Sequence, residues 1–352
     1  MVGPDGTLPL PWLAPLLKQT LQTQHAHALL LQGPQGVGQF EMAMTLAQAW
    51  LCESAEARRP CGVCASCRLV QSHSHPDLLV LLPEALQEAL GWGGVDGAEA
   101  STEKAGKAKP SKEIKVEAER SAVTFAQTTS ARGRGKVVVL HPAERMNGIS
   151  ANTLLKTLEE PPGEARFVLS CAAPESLLPT IRSRCQAVTM LLPALDVATQ
   201  WLEQAGVKDA AVLLAATGGQ AQEVLQWVEQ GIDAALWQRL PALVARGEAQ
   251  ALSTWPVPRL IDALQKLCHD AACVAVGAAP RYFPRAVIAT GANSDALAAW
   301  MQELKRCARH ADHAWNAGLM LESLVQQGQR ALRDGASEPA TKRHDSVHSR
   351  AW

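Results

Sequence analysis

The chain has 352 residues, 47% of them hydrophobic, and a formal net charge of -1. That length suggests two or three domains with substantial cores. Near-neutral charge argues against a protein whose whole surface grips nucleic acid, because neutralising phosphates takes clustered Lys and Arg. No run of ~18 apolar residues occurs, so no membrane span is expected. The opening residues, with Pro4, Asp5, Pro9 and Pro11, do not read as a signal peptide.

Residues 11–25 read as a helix with Trp12, Leu13, Leu16, Leu17 and Leu21 on one side. His25 and His27 follow without partner ligands nearby, and read as structural or solvent-facing. Residues 28–31 suit a short buried strand, and 41–51 a helix with Met42, Leu46 and Ala49 or Trp50 turned inward. Between them lies Gly33-Pro34-Gln35-Gly36-Val37-Gly38-Gln39-Phe40, the skeleton of a phosphate-binding loop, G-x-x-x-x-G-K-[ST]. In a working loop, backbone N–H groups cradle phosphates, the lysine reaches the terminal ones and the hydroxyl holds Mg²⁺. Here Gln39 stands in the lysine position and Phe40 in the hydroxyl position. Gly33, Gly36 and Gly38 keep the turn, while a neutral amide cannot balance triphosphate charge and a phenyl ring cannot ligate magnesium. The reading is a nucleotide-binding fold that no longer uses nucleotide; a chance glycine-rich turn is the alternative on this stretch alone.

Four of the nine cysteines come next, Cys52, Cys61, Cys64 and Cys67, spaced C-x8-C-x2-C-x2-C. The tight run lets three thiolates converge and Cys52 close a tetrahedron around Zn²⁺. Four cysteines leave no open position, so the ion would be structural. An Fe–S cluster and metal-free reduced thiols are the alternatives. His73 and His75 invite a metal reading too, but the cysteines already complete a site, and residues 75–77 more simply shape the start of a strand at 78–82. Residues 83–112, rich in Gly and Lys, read as a flexible surface insertion.

Order resumes at Ile114 with an amphipathic helix that includes Val116, Val123 and Phe125. Residues 136–140 are β-branched and suit a buried parallel strand. The end of such a strand carries acidic residues in ATPases of this kind; here it runs into His141-Pro142, so the second half of a nucleotide site is missing independently of the first. Ser150 is expected to cap a helix over 151–160 that Pro161-Pro162 stops. Strands at 166–170 and 186–190 flank a short helix or turn at 177–181 and Ser183-Arg184-Cys185. Strands alternating with helices, with a glycine loop after the first, indicate a three-layer α/β domain. Beyond Leu191-Leu192-Pro193 strands vanish. Helices are expected from Val197 to Gly206, then over 210–216, 223–228, 232–244, 259–276, 296–309 and 316–333. The stripes Leu297, Trp300, Met301, Leu304 and Leu321, Leu324, Val325, Leu332 read as core. Residues 334–352 lack periodicity and are expected to be disordered.

The run from Asn152 to Pro162, followed by Ser183-Arg184-Cys185, resembles the AAA+ clamp loaders of replication, and the cysteine insertion resembles their bacterial members. The resemblance is specific over 24–190 and fainter beyond, where it rests on Gly218-Gly219 and residues 316–324. It implies an α/β P-loop NTPase-like (AAA+) domain with a parallel sheet over 1–191, carrying a zinc module at 52–67. An all-α lid over 192–240, an all-α collar over 241–335 and a disordered tail over 336–352 would follow. The family includes tau/gamma subunits with a working loop and a subunit that often lacks one; loss of Lys, Ser/Thr and the acidic strand end places this chain with the second kind. The resemblance implies structural Zn on Cys52, Cys61, Cys64 and Cys67, and no ATP bound by this chain. Arg184, which by itself reads as a surface ion-pair residue, would be offered in trans to ATP held by a neighbour. The implied partners are tau/gamma and delta subunits in a hetero-pentameric ring, with a sliding clamp and primed DNA reached through the complex, in the cytoplasm. The family's second sensor arginine would fall near Ala221, where none stands. A divergent ATP-hydrolysing subunit and a zinc-dependent DNA-binding module are the competing functions.

Overall fold

The computed structural model describes residues 1–92, 110–309 and 317–333. By its internal contacts the chain divides into two compact units, Met1–Ala198 with Gln220–Gln222, and Thr199–Gly219 with the residues from Glu223 onward.

In the first unit, α1 (Leu13–Thr23) leads into β1 (Ala28–Gln32), the glycine loop and α2 (Gln39–Leu51). The cysteine module follows with α3 (Ala65–Gln71), then β2 (Leu78–Leu81), a helical turn α4 (Glu84–Gln87) and α5 (Val116–Gln127). The rest is β3 (Val137–Leu140), α6 (Gly148–Glu159), β4 (Arg166–Cys171), α7 (Pro179–Arg182), β5 (Gln186–Thr189) and the start of α8 (Leu195–Gln204). All five strands are parallel, in the order β2-β3-β4-β1-β5. Register aligns Leu30 with Leu169 on one side and Ala187 on the other. The strands are short; β1, β3 and β4 are covered on both faces, which is why they read as continuous apolar runs, while β5 leaves Gln186, Ala187 and Thr189 exposed. Leu30, Val138, Leu140, Phe167 and Leu169 face a core with α5 and α6 through Ile114, Ala122, Leu154 and Leu158. On the other face α2 packs on β1, β3 and β4 and is buried nearly all round, Ala49 included. Trp50, half-buried, lies 4.9 Å beneath the Arg166 guanidinium.

Several expectations shift. The α6 helix begins at Gly148, so Ser150 lies inside it rather than at its cap. Of the insertion expected over 83–112, residues 93–109 lie outside the described residues, and both margins are tied down. Ala85 N–H donates to the Ser111 carbonyl at 3.0 Å, and Ser111 N–H to Glu84 Oε2 at 3.0 Å. Sequence polarity hid these backbone bonds, which need no apolar side chain. The tail from residue 334 also lies outside the described residues.

The second unit is helical: the rest of α8, α9 (Ala210–Ala216), most of α10 (Ala221–Glu229), α11 (Ala234–Arg246), α12 (Val257–Ala275), α13 (Ser294–Arg309) and α14 (Ala317–Arg333). Helices α11 to α14 pack on one another. Leu297, Trp300 and Leu304 of α13 and Leu321, Leu324, Val325 and Leu332 of α14 are buried, as their spacing predicts, whereas Met301 is half-buried. Trp227, Trp237 and Phe283 build an aromatic centre, the last two stacked at 4.3 Å. Buried Asp270 accepts from the Arg281, Tyr282 and Phe283 backbone N–H groups at 2.7–2.9 Å, fixing the loop after α12. Among the described residues no helix is long and apolar enough to cross a membrane.

Candidate functional site

The glycine loop sits at the carboxyl edge of the sheet, where α/β folds bind their ligands. Gly33 N–H donates to the Cys171 carbonyl ending β4. A Cβ at Gly33 would lie 2.3 Å from the Met190 carbonyl oxygen, so only glycine passes there. Gly38 caps α2 in a left-handed conformation, φ 97°, open to glycine at little cost. The loop therefore keeps its backbone shape for a reason independent of nucleotide.

Its interior is occupied by its own side chain. Gln39 is 6% exposed, and its amide Nε2 donates to the Gly33 carbonyl at 2.9 Å and the Pro34 carbonyl at 2.6 Å. An ammonium at this place would point at phosphate; the amide instead closes the loop on itself. Phe40 packs on His141, ring centroids 5.1 Å apart. The residue in the hydroxyl position thus meets the residue that ends β3, and the two places that would share a Mg²⁺ ion share an aromatic contact. His141 Nδ1 and Ser170 Oγ share a hydrogen bond of 2.8 Å. Burial holds the His141 imidazole neutral, its pKa brought down to about 4. Glu144, the next acid along the chain, accepts from Ala172 N–H at 3.0 Å.

At the other end of α2 the four cysteine sulfurs, from Cys52, Cys61, Cys64 and Cys67, lie within 4.8 Å of one another, and no ion is present. Cys52 and Cys64 sulfurs are 3.9 Å apart, as are those of Cys61 and Cys67. Zn–S bonds of about 2.3 Å in a tetrahedron place sulfurs about 3.8 Å apart, so the cage fits a tetrathiolate metal site. Backbone N–H groups of Cys64 and Cys67 point at the sulfurs of Cys61 and Cys64, at 3.3 and 3.4 Å. Burial works against the Cys61 thiolate, yet hydrogen bonds from Ser54, the Val63 and Cys64 backbone and Cys52 outweigh it and bring the thiol to about 6. Burial pushes the Cys67 thiol up. Neither histidine joins the cage. His73 stacks on Trp92 with centroids 4.1 Å apart, and His75 hydrogen-bonds Ser66 Oγ at 3.2 Å and the Asp77 N–H at 3.0 Å. His27 meets the Leu158 carbonyl at 2.6 Å, a structural contact.

Arg184 lies between α7 and β5. Its Nε donates to Glu159 Oε1 at 2.5 Å, Nη2 contacts the same oxygen and Nη1 donates to the Thr180 carbonyl at 2.8 Å. The guanidinium is 29% exposed and Glu159 45%. Sequence reasoning read an ion pair here without naming Glu159. It placed Asp77 at the entry to β2 without its partners: the side chain has no exposure, pairs with Lys136 at 3.0 Å and accepts from Ser130, Ala131 and Arg132. The Arg-Gly-Arg-Gly turn at 132–135 was the available signal.

A parallel α/β sheet with a glycine loop between β1 and α2, where Gln39 and Phe40 stand in the places of a lysine and a hydroxyl, defines a fold of the P-loop type. A family profile described as "DNA polymerase III, delta subunit" matches residues 12–193. The DNA polymerase III subunit delta' of Pseudomonas aeruginosa is 34% identical over 72% of this chain and 74% of its own length. That of Escherichia coli K12 is 31% identical over 75% and 78%. The DNA polymerase III subunit tau of Salmonella typhimurium is 34% identical, but over 49% of this chain and 22% of its own length. The chain belongs to the DNA polymerase III delta' family.

Proposed function

We propose that this chain is the non-hydrolysing subunit of a bacterial replicative clamp loader. It stands in a hetero-pentameric ring beside tau/gamma and delta subunits, and the ring places a sliding clamp on primed DNA in the cytoplasm. A lid over 192–240 and a collar over 241–335 join it to the ring, and Zn²⁺ on the four cysteines braces the first domain. The observation that carries the reading is the Gln39 amide bonded to the loop's own carbonyls, beside the Phe40–His141 contact. A chain so built does not hydrolyse ATP, and its contribution is geometric.

Arg184 is the group it lends. A guanidinium offers fixed charge and a planar fork to phosphate oxygens, and supplied in trans it makes a neighbour's hydrolysis depend on ring assembly. Its pairing with Glu159 is part-exposed, and such pairs are worth about 0–1 kcal/mol, little enough for a phosphate to displace. The test is reconstitution with partner ATPase subunits and measurement of DNA-stimulated hydrolysis. An unchanged rate for Arg184→Ala rejects the trans role; micromolar Mg·ATP affinity of the isolated chain rejects the non-hydrolysing reading.

A further inference from the structure

The cysteine module is wired to the turn before β3. Cys52 ends α2, and its carbonyl accepts from Arg134 Nη2 at 2.6 Å. Arg134 Nε is buried and, among the described residues, has no hydrogen-bond partner. No carboxylate among the described residues forms an ion pair with this guanidinium. Beside it, Arg132 Nε donates to Glu53 Oε1 at 2.9 Å and to Ser66 Oγ at 3.0 Å. Ser66, fully buried between Cys64 and Cys67, donates to Glu53 at 3.0 Å. The turn itself hangs from Asp77, which accepts from Ser130 Oγ and the Ala131 and Arg132 N–H groups, while Arg134 N–H donates to Ser130 Oγ at 3.2 Å. Two arginines are thus held against the one module that carries four thiolates.

The charges explain why. A divalent ion on four thiolates carries a net charge of about −2, and Glu53 adds another negative group. Arg132 is committed to Glu53. Arg134 is left with its charge uncompensated, next to Cys52. Arg134 also lies at the C-terminus of α2, where a cation meets the negative end of the helix dipole. That second duty does not require a metal, so the two can be separated.

We propose that Arg134 is the counter-cation of the cysteine centre, and that the turn hung on Asp77 sets how firmly the module retains its metal. The inference rests on the reading that the four cysteines bind a divalent ion. Groups outside the ligand sphere of a metal commonly change affinity 10–100-fold when removed. The full chain, loaded with Zn²⁺, is challenged with excess chelator, and release is followed with a chromogenic zinc indicator. Arg134→Met is expected to release the ion about tenfold faster than the parent, and Arg134→Lys, which keeps the charge, to stay close to it. Arg134→Gln, which keeps a donor for the Cys52 carbonyl but no charge, should behave like the Met variant, and carries the test if that variant does not fold. Parent-like release from Arg134→Gln overturns the proposal, and so does Lys releasing as fast as Gln, which would mean that positive charge is not what retains the metal. Cobalt loading of the parent separates the failures: absence of tetrahedral thiolate absorption bands rejects the metal reading itself, whatever Arg134 does.

Discussion

The two ends of α2 have been treated oppositely. At its N-terminus the glycine loop keeps its backbone without the lysine and hydroxyl of a phosphate-binding pattern: Gln39 fills it and Phe40 leans on His141. At its C-terminus the cysteine module brings four sulfurs together, with Arg134 and Ser66 against it. Thirteen helical residues put the two about 20 Å apart. The loop persists because residues flanking β5, and those leading into and opening α1, crowd its glycines, Met190 against Gly33 and Leu10 and Leu13 against Gly38. On the proposed reading, the module holds its shape only while its metal is bound. A site then outlives its ligand where packing holds it, and does not where the ligand is the packing.

Metal removal presses hardest on that contrast. Chelation, or Cys64→Ser, is expected to unfold the module, whose metal contributes on the order of 10 kcal/mol locally. Hydrogen exchange should speed up across residues 52–75, and also at the start of the chain, because Gln71 Nε2 bridges the Val2 and Gly62 carbonyls at 2.9 Å each. Protection unchanged by chelator would show that the module needs no ion, and the contrast would fail. Next is Arg184→Ala in the reconstituted ring. Hydrolysis at the adjoining site should fall about 10³-fold, which single-turnover assays with only that site competent would read.

The loop end is tested by acid. His141 stays neutral in the fold down to about 4, whereas an unfolded His titrates near 6.5. Its folded pKa is depressed, so below about 6.5 the unfolded chain takes up a proton that the folded one refuses. Stability is lost as pH falls from there to about 4, by roughly 3 kcal/mol. Denaturant titrations of His141→Phe should show a shallower loss than the parent over that window, and parallel curves would place the imidazole elsewhere. The smallest effect belongs to Gln39→Ala. Losing two part-buried hydrogen bonds, to the Gly33 and Pro34 carbonyls, should cost about 1–3 kcal/mol, and Mg·ATP should still not bind. Binding by that variant, measured calorimetrically, would mean that the amide alone keeps nucleotide out.

The legible parts of the molecule were those whose signal is local. The apolar runs gave β1, β3 and β4, helical spacing gave α13 and α14, and cysteine spacing gave the module. The glycine loop and the faults in it were readable because the pattern fixes which atom each position must supply. What escaped were pairings across long stretches of chain. Glu159 with Arg184, Asp77 with Lys136 and Arg134 with Cys52 join residues whose charge or polarity looks like ordinary surface until the sheet brings them together. The α6 start was misplaced because serine is a favoured capping residue type, whereas the helix begins at Gly148. The insertion margins escaped because backbone hydrogen bonds leave no trace in composition.

If the chain does not hydrolyse ATP, as proposed, the Phe40–His141 contact makes that state hard to leave. Hydrolysis would take a lysine at Gln39, a hydroxyl at Phe40 and an acid at His141, and a change at either ring leaves the other without its neighbour before any activity rewards it. The path is a climb through unrewarded intermediates, and the geometry behaves as a ratchet.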